Sequence, residues 1–232
     1  MTKEYQYNTY EAAMKAVKGN LKYFDKVNPS IQTPEMVLKM VKKRSTNFQF
    51  VRPDLQTPEM ALGAVKDWRH NLEFVRPDLI TPELALVVIK YYGYNLESIP
   101  AHCQTPEMAE IAVGWWGRNI KFVRGDLITL EMALVAVKHW GHNIEYVRPD
   151  LQTPKMAMEA VKGWGANLKH VREDLITLEL ALEAVISRGC ALEFVPVHCQ
   201  IQEVIEAALK DDPKAKRFIK VKEMFKNALE GF

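Results

Sequence analysis

In the stretch TLEMALVAVKHWGHNIEYVRPDLQ, apolar side chains fall at Met132, Ala133, Ala136, Val137 and Trp140, a spacing of three and four. That spacing puts them on one stripe of an α-helix. The polar residues Glu131 and Lys138 fall outside the stripe, as expected of a helix with one face in a core and one in water. Nearly the same phrase returns every 24 residues, its opening threonine standing at Thr9, Thr33, Thr57, Thr81, Thr105, Thr129, Thr153 and Thr177. Self-similarity at a fixed period marks a repeat architecture.

Each copy carries its own punctuation. Threonine caps a helix, proline fits the first helical position, where its missing N–H costs nothing, and glutamate in the first turn complements the helix dipole. Pro34, Pro58, Pro82, Pro106 and Pro154 occupy the second of these slots. The helix is predicted to run about eleven residues and to stop at a glycine, supplied by Gly93, Gly117, Gly141, Gly165 and Gly189. The following phrase, NLEFVRPDLQ in its commonest form, puts Asn71, Asn95, Asn119, Asn143 or Asn167 at a capping position. It predicts a second helix of about one turn, α or 3₁₀.

The alanines of the stripe, such as Ala157 and Ala160, predict close helix approach. The recurring aromatics Trp68, Tyr92, Trp116, Trp140 and Trp164 share the stripe and are predicted to be core. A single copy is too short to bury its own stripe, so the copies are expected to stack into an all-α solenoid. The expected organisation is an N-terminal extension over 1–8, eight tandem copies over 9–200, and a capping pair of helices over 201–232, broken near Pro213. The residue before each threonine alternates, as Gln56, Ile80, Gln104, Ile128, Gln152 and Ile176, which suggests a pair of copies as the duplicated unit.

Phrases such as NLEFVRPDLQTPEMALGAVKDW and NIEYVRPDLQTPKMAMEAVKGW resemble a tandem helical-repeat family of unknown function found in bacteria and protists. Its unit is near 48 residues, with a pattern of the type LEFVPxELxxDxEVVLAAVKxxGxAL. The plan is also similar to that of leucine-rich variant repeats. The resemblance extends to Gln200 and departs from the family in the Trp-Gly step and the Thr-Pro opening. It implies a helical-repeat scaffold and brings no catalytic residues.

Composition changes this picture little. With 48% hydrophobic and 26% charged residues the profile is that of an ordinary soluble globular chain. The net charge of +2 does not by itself name nucleic acid or an anionic membrane as a partner, although the residues through Arg52 hold ten cations against four acids. No apolar run approaches the roughly 18 residues of a membrane span, and the opening MTKEYQYNTY lacks a signal peptide's apolar stretch. The expectation is a cytoplasmic location where the protein is made, with secretion as an effector left open. Three cysteines are too few for a disulfide framework and are expected to be buried thiols.

No catalytic set stands out. There is no glycine-rich phosphate loop, no HExxH and no GxSxG, and Cys190 has no evident base. His139 and His142 lack further ligands, and the equivalent pairs His102–Cys103 and His198–Cys199 are four copies apart, too far to share an ion. The expectation is a non-enzyme without cofactor or metal. The Arg and Asp of VRPDL are expected to pair with each other, and the lysine slot that includes Lys138 and Lys162 to be a solvated flank.

Slots where the copies disagree are the candidates for binding. Three of them, at spacings of four and then three, share one face and hold Val87, Tyr91 and Tyr94, then Ile111, Trp115 and Arg118, then Val135, His139 and His142. Exposed aromatics beside arginine have the composition of an interaction hot spot. The leading expectation is a chain, monomeric when alone, that binds another protein, as an effector or inhibitor covering a partner's surface. The alternative is a nucleic-acid-binding helical repeat, and a self-assembling rod is a third possibility; no membrane partner is expected.

Overall fold

The computed structural model describes residues 4–19 and 22–220, apart from the side chains of Tyr94 and Asn95. Its regular structure is all-α; among the described residues the one extended pairing is an isolated bridge between Tyr7 and Val27. The α-helices are α1 (Tyr10–Lys18), α2 (Pro34–Lys43), α3 (Pro58–Asp67), α4 (Pro82–Tyr91), α5 (Pro106–Trp115), α6 (Leu130–His139), α7 (Pro154–Gly163), α8 (Leu178–Ser187) and α9 (Gln202–Asp211). From α2 onward each starts 24 residues after the last, as Pro58 follows Pro34. Contacts divide the chain into two compact units, Met1–Met108 and Ala109–Phe232. Within the first, α1 to α4 pack neighbour on neighbour; within the second, α6 to α9 do the same.

The helix starts follow the sequence. From Thr9 to Thr177 every opening threonine accepts, at Oγ1, the backbone N–H three residues on, at 3.2–3.4 Å. That bond satisfies one of the four N–H groups a helix start leaves orphaned.

The helix ends depart from expectation. α6 stops at His139, and Trp140 is already extended, with φ −160° and ψ 115°. No described glycine has a positive φ, so no left-handed cap forms. Space is what selects glycine here. A Cβ on Gly165 would lie 2.1 Å from the carbonyl oxygen of Ala184, and one on Gly189 would lie 2.3 Å from that of Ala208. Backbone meets backbone at these points, and Ala136, Ala160, Ala184 and Ala208, all fully buried, form the other half of the contact.

The asparagine slot also differs from expectation. Asn143 caps nothing; it sits fully buried inside the 3₁₀ segment Gly141–Tyr146, and its Nδ2 donates back to the carbonyl of Ala136 at 2.8 Å. Asn47, Asn71, Asn119 and Asn167 do the same to Met40, Ala64, Ala112 and Ala160 at 2.7–2.9 Å. Each asparagine bolts a 3₁₀ segment beneath the helix that precedes it, using a carbonyl near that helix's end.

The glutamine of the alternating slot has a structural task. Gln152, buried, donates Nε2 to His170 O and accepts from the N–H of Arg172, both at 2.8 Å. Gln32, Gln56 and Gln200 clamp the corresponding turn of the next copy in the same two-handed way. Isoleucine in the alternate slot has no group with which to do so. The Arg–Asp pairing expected from VRPDL is local: Arg52–Asp54, Arg76–Asp78, Arg124–Asp126, Arg148–Asp150 and Arg172–Asp174 each close within one turn at 2.5–3.2 Å.

The tail keeps the spacing that its sequence had lost. α9 begins 24 residues after α8, and the 3₁₀ segment Pro213–Phe218 stands after α9 as Gly189–Phe194 stands after α8. The element order therefore runs on past Gln200 as far as the description reaches. Residues 1–3 of the expected extension and 221–232 of the expected cap lie outside the described residues.

Candidate interaction surface

Two of the three variable slots sit where an α-helix ends and the next 3₁₀ segment begins, and the first lies one turn earlier within the helix. In the first unit Val87 is half-buried on α4, while Tyr91, the last residue of that helix, is 60% exposed. The rings of Tyr91 and Tyr92 lie 6.3 Å apart, and the Tyr92 hydroxyl donates to Lys66 O at 3.1 Å. The side chain of Tyr94 lies outside the described part of the molecule. In the second unit Ile111 is half-buried, Val135 and His139 are exposed, and Arg118 and His142 are half-buried inside their 3₁₀ segments. Trp115, at the end of α5, is 65% exposed.

The tryptophan ladder is not core. Trp68, Trp116, Trp140 and Trp164 are between 38% and 51% exposed. The reason is local. Each follows the last helical residue and has extended backbone, so the 100° step per residue that would have carried it onto the buried stripe has already stopped.

Freed from the stripe, the rings of the second unit form a column with the variable slots. The Arg118 guanidinium lies over Trp140, 5.1 Å from its centroid. Trp140 stacks on His142 at 4.7 Å and 19°, and His142 meets Trp164 at 5.6 Å. Arg188 lies over Trp164 at 4.1 Å. Cation–π contact and ring stacking hold these planar groups in fixed orientations at the surface. Sequence reasoning missed Arg188 because its copy carries no aromatic residue in the ladder slot.

His139 has a separate task. Its Nδ1 accepts the backbone N–H of Gly117 at 3.1 Å, which leaves the neutral ring's proton on Nε2. Ser187 Oγ accepts from Gly165 N at 3.1 Å, and Asp211 Oδ2 accepts from Gly189 N at 2.6 Å. A slot that looked merely variable thus supplies, in three copies, an acceptor for the N–H at the buried start of the preceding 3₁₀ segment. Among the described residues no group of three His, Cys, Asp or Glu is placed to hold a metal ion.

The thiols divide. Cys103 and Cys199 are buried, each bonded through Sγ to an isoleucine carbonyl, Ile80 at 3.0 Å and Ile176 at 3.4 Å. Burial pushes both up from the ordinary thiol value, away from a reactive thiolate. Cys190 is half-buried rather than buried, and accepts from Arg188 Nε at 3.2 Å.

Comparison with protein-family models, with curated proteins and with solved structures finds no match to this chain. The surface must therefore be judged on its own geometry. No described helix is long and apolar enough to cross a membrane.

Two basic residues of the first unit, Lys43 and Arg44, are engaged internally. Lys43 Nζ donates to Val17 O at 2.8 Å and Gly19 O at 2.7 Å, closing the C-terminal end of α1. Arg44 lies over the Tyr23 ring and donates to its hydroxyl at 2.9 Å.

Proposed function

We propose that this chain is an α-solenoid of 24-residue helical copies that works as a non-enzymatic interaction scaffold, binding another protein through the helix-end surface of its second unit. Such a scaffold would act as an effector or inhibitor by covering a surface the partner needs. The observation that carries the reading is Trp115, a tryptophan 65% exposed at the end of a well-formed helix, in the same unit as the Arg118 column. Large aromatic area next to oriented arginine is the composition of interface hot spots, and a surface already ordered loses little entropy on binding. The resemblance to a tandem helical-repeat family fits a scaffold as well.

A nucleic-acid-binding repeat is the second reading, favoured by the exposed indoles. It ranks lower because Trp140 and Trp164 each already carry an arginine and a histidine ring against them, and because Lys43 and Arg44 are turned to internal bonds.

The test is Trp115→Ala. Its melting curve is expected to match the parent's, since the indole is mostly in water, while affinity for proteins captured from a native lysate falls by about 2 kcal/mol or more, roughly thirtyfold. Capture unchanged by the substitution would overturn the reading.

A further inference from the structure

Resting on that reading, we infer that the partner segment docking on the second unit's helix ends is acidic. Four successive helix-end stretches, GWWGR (114–118), KHWGH (138–142), KGWGA (162–166) and ISRGC (186–190), contain no acid at all and carry Arg118, Lys138, Lys162 and Arg188. Among the described residues none of these four enters an ion pair. The arginines of the turns in the same unit behave differently: Arg124, Arg148 and Arg172 each face an aspartate, at 2.6, 3.2 and 2.5 Å. The turn arginines are neutralised pair by pair, whereas these four helix ends are left cationic, acids entering only at the next helix end with Asp211 and Asp212.

The helix dipole accounts for part of this. Lysine in a last turn complements the negative helix end, so Lys138 and Lys162 alone would mean little. Arg188, the C-cap of α8, is favoured by the dipole in the same way, but Arg118 lies beyond the end of α5, inside a 3₁₀ segment, and the dipole gives no reason for the exposed rings that hold both. Carboxylates close to these residues are already engaged: Asp211 and Asp212 accept the N–H groups of Gly189 and Lys214, and Glu145 is hydrogen-bonded by Tyr146, holding that phenol above its ordinary range, and lies 3.6 Å from His170. A guanidinium laid on an indole face presents its N–H edge outward, and although Arg188 Nε donates to Cys190 Sγ, its terminal nitrogens, like those of Arg118, can still meet a carboxylate. Stacked bases are poorly served by the same arrangement, because the faces they would use are taken by Arg118, His142 and Arg188.

The experiment uses the full chain and fluorescence anisotropy. The probes are a labelled peptide of alternating glutamate and serine, its glutamine–serine counterpart of equal length, and labelled oligo(dT), each titrated at low and moderate salt. The acidic peptide should bind about tenfold or more tighter than the neutral one at low salt, and the margin should shrink as salt rises. Lys138→Gln with Lys162→Gln removes two exposed cations with no partner to orphan, and Arg118→Gln with Arg188→Gln removes the stacked pair. Both double variants should lose most of the margin while keeping the parent's melting curve, and Arg148→Gln should keep the margin. Equal binding of the two peptides, or loss in Arg148→Gln matching that of the double variants, would overturn the acidic partner. If Trp115-dependent capture from lysate persists in that case, the scaffold reading stands without it. Tighter binding of oligo(dT) through the same four cations would overturn both.

Discussion

The two units are written in the same phrase and close their helix contacts differently. In the second, the residue that opens the long 3₁₀ segment after α5, α6, α7 and α8 is Gly117, Gly141, Gly165 and Gly189 in turn, all buried, and it meets an alanine backbone of the next helix. In the first, the same slot holds Ser45 and Arg69, both half-buried, before a buried glycine enters at Gly93. Bulk is distributed accordingly: Phe24, Phe48, Met36 and Met40 fill the early core, where the second unit uses Ile120, Ile144, Leu168 and Leu192 with alanines. The groove between α2 and α3 measures about 630 Å³, and the equivalent one between α5 and α6 about 360 Å³. One period thus admits two packing solutions, side chains wedged between helices or backbones in contact. The second solution leaves no room for substitution.

That contrast is most easily broken at Gly165. Its missing Cβ would fall 2.1 Å from Ala184 O, a backbone atom that cannot swing away, so Gly165→Ala is expected to cost about 3 kcal/mol or more in a denaturant melt. Ser45→Ala, at the same slot of the first unit, should stay within about 0.5 kcal/mol. Equal losses would mean that the two units pack alike.

A middle-sized effect tests the asparagine bolt. Asn47 has three partners: it accepts from Phe24 N at 2.9 Å and donates to Met40 O and Lys22 O at 2.9 and 3.2 Å. Asn143 donates to Ala136 O, while its buried Oδ1 makes no hydrogen bond among the described residues. Truncation to alanine should therefore cost about 3 kcal/mol at Asn47 and nearer 1 kcal/mol at Asn143, where an unsatisfied acceptor is removed along with the bond. The reverse order in matched melts would refute the partner assignment.

The smallest effect is a pH dependence confined to the second unit. Burial first, then Lys169, holds His170 below the ordinary histidine value of 6.5, with Glu145 pulling weakly the other way and His142 adding to the depression. Charging is easier in the unfolded chain, so His170 contributes stability above pH 6.5 that is lost as pH falls through the lower folded value. The equivalent slot of the first unit holds Lys26, Phe50, Phe74 and Ser98, none of them a histidine. Between about pH 7.5 and pH 5.5 the melting temperature of the parent should drop more than that of His170→Phe. Parallel pH profiles would exclude the histidine as the cause.

How legible the chain was depends on the range of the interaction. Helix starts at Thr33 or Thr153 were readable, because a cap joins residues three apart and needs nothing else. The ladder was misjudged, because projecting Trp140 onto the stripe assumes the helix continues through it, and the helix stops at His139. The face that holds Trp115, Arg118 and Val135 could be named from its variability. His139's bond to Gly117 could not, since that partner lies 22 residues back along the chain.

By itself the sequence determined the period, the helix starts with their threonine caps and the buried stripe of methionine, alanine and valine. These follow from local dihedral preference and from hydrophobic spacing within one helix. The second 3₁₀ segment of each copy, as at Pro149–Leu151, was not read from the sequence. Tertiary packing alone decided that glycine serves close approach instead of a left-handed turn, that asparagine reaches back to a helix carbonyl, and that Arg118, Trp140, His142, Trp164 and Arg188 line up. Those outcomes depend on where one copy's backbone meets the next, a distance set by the sum of many side-chain volumes and written at no single position.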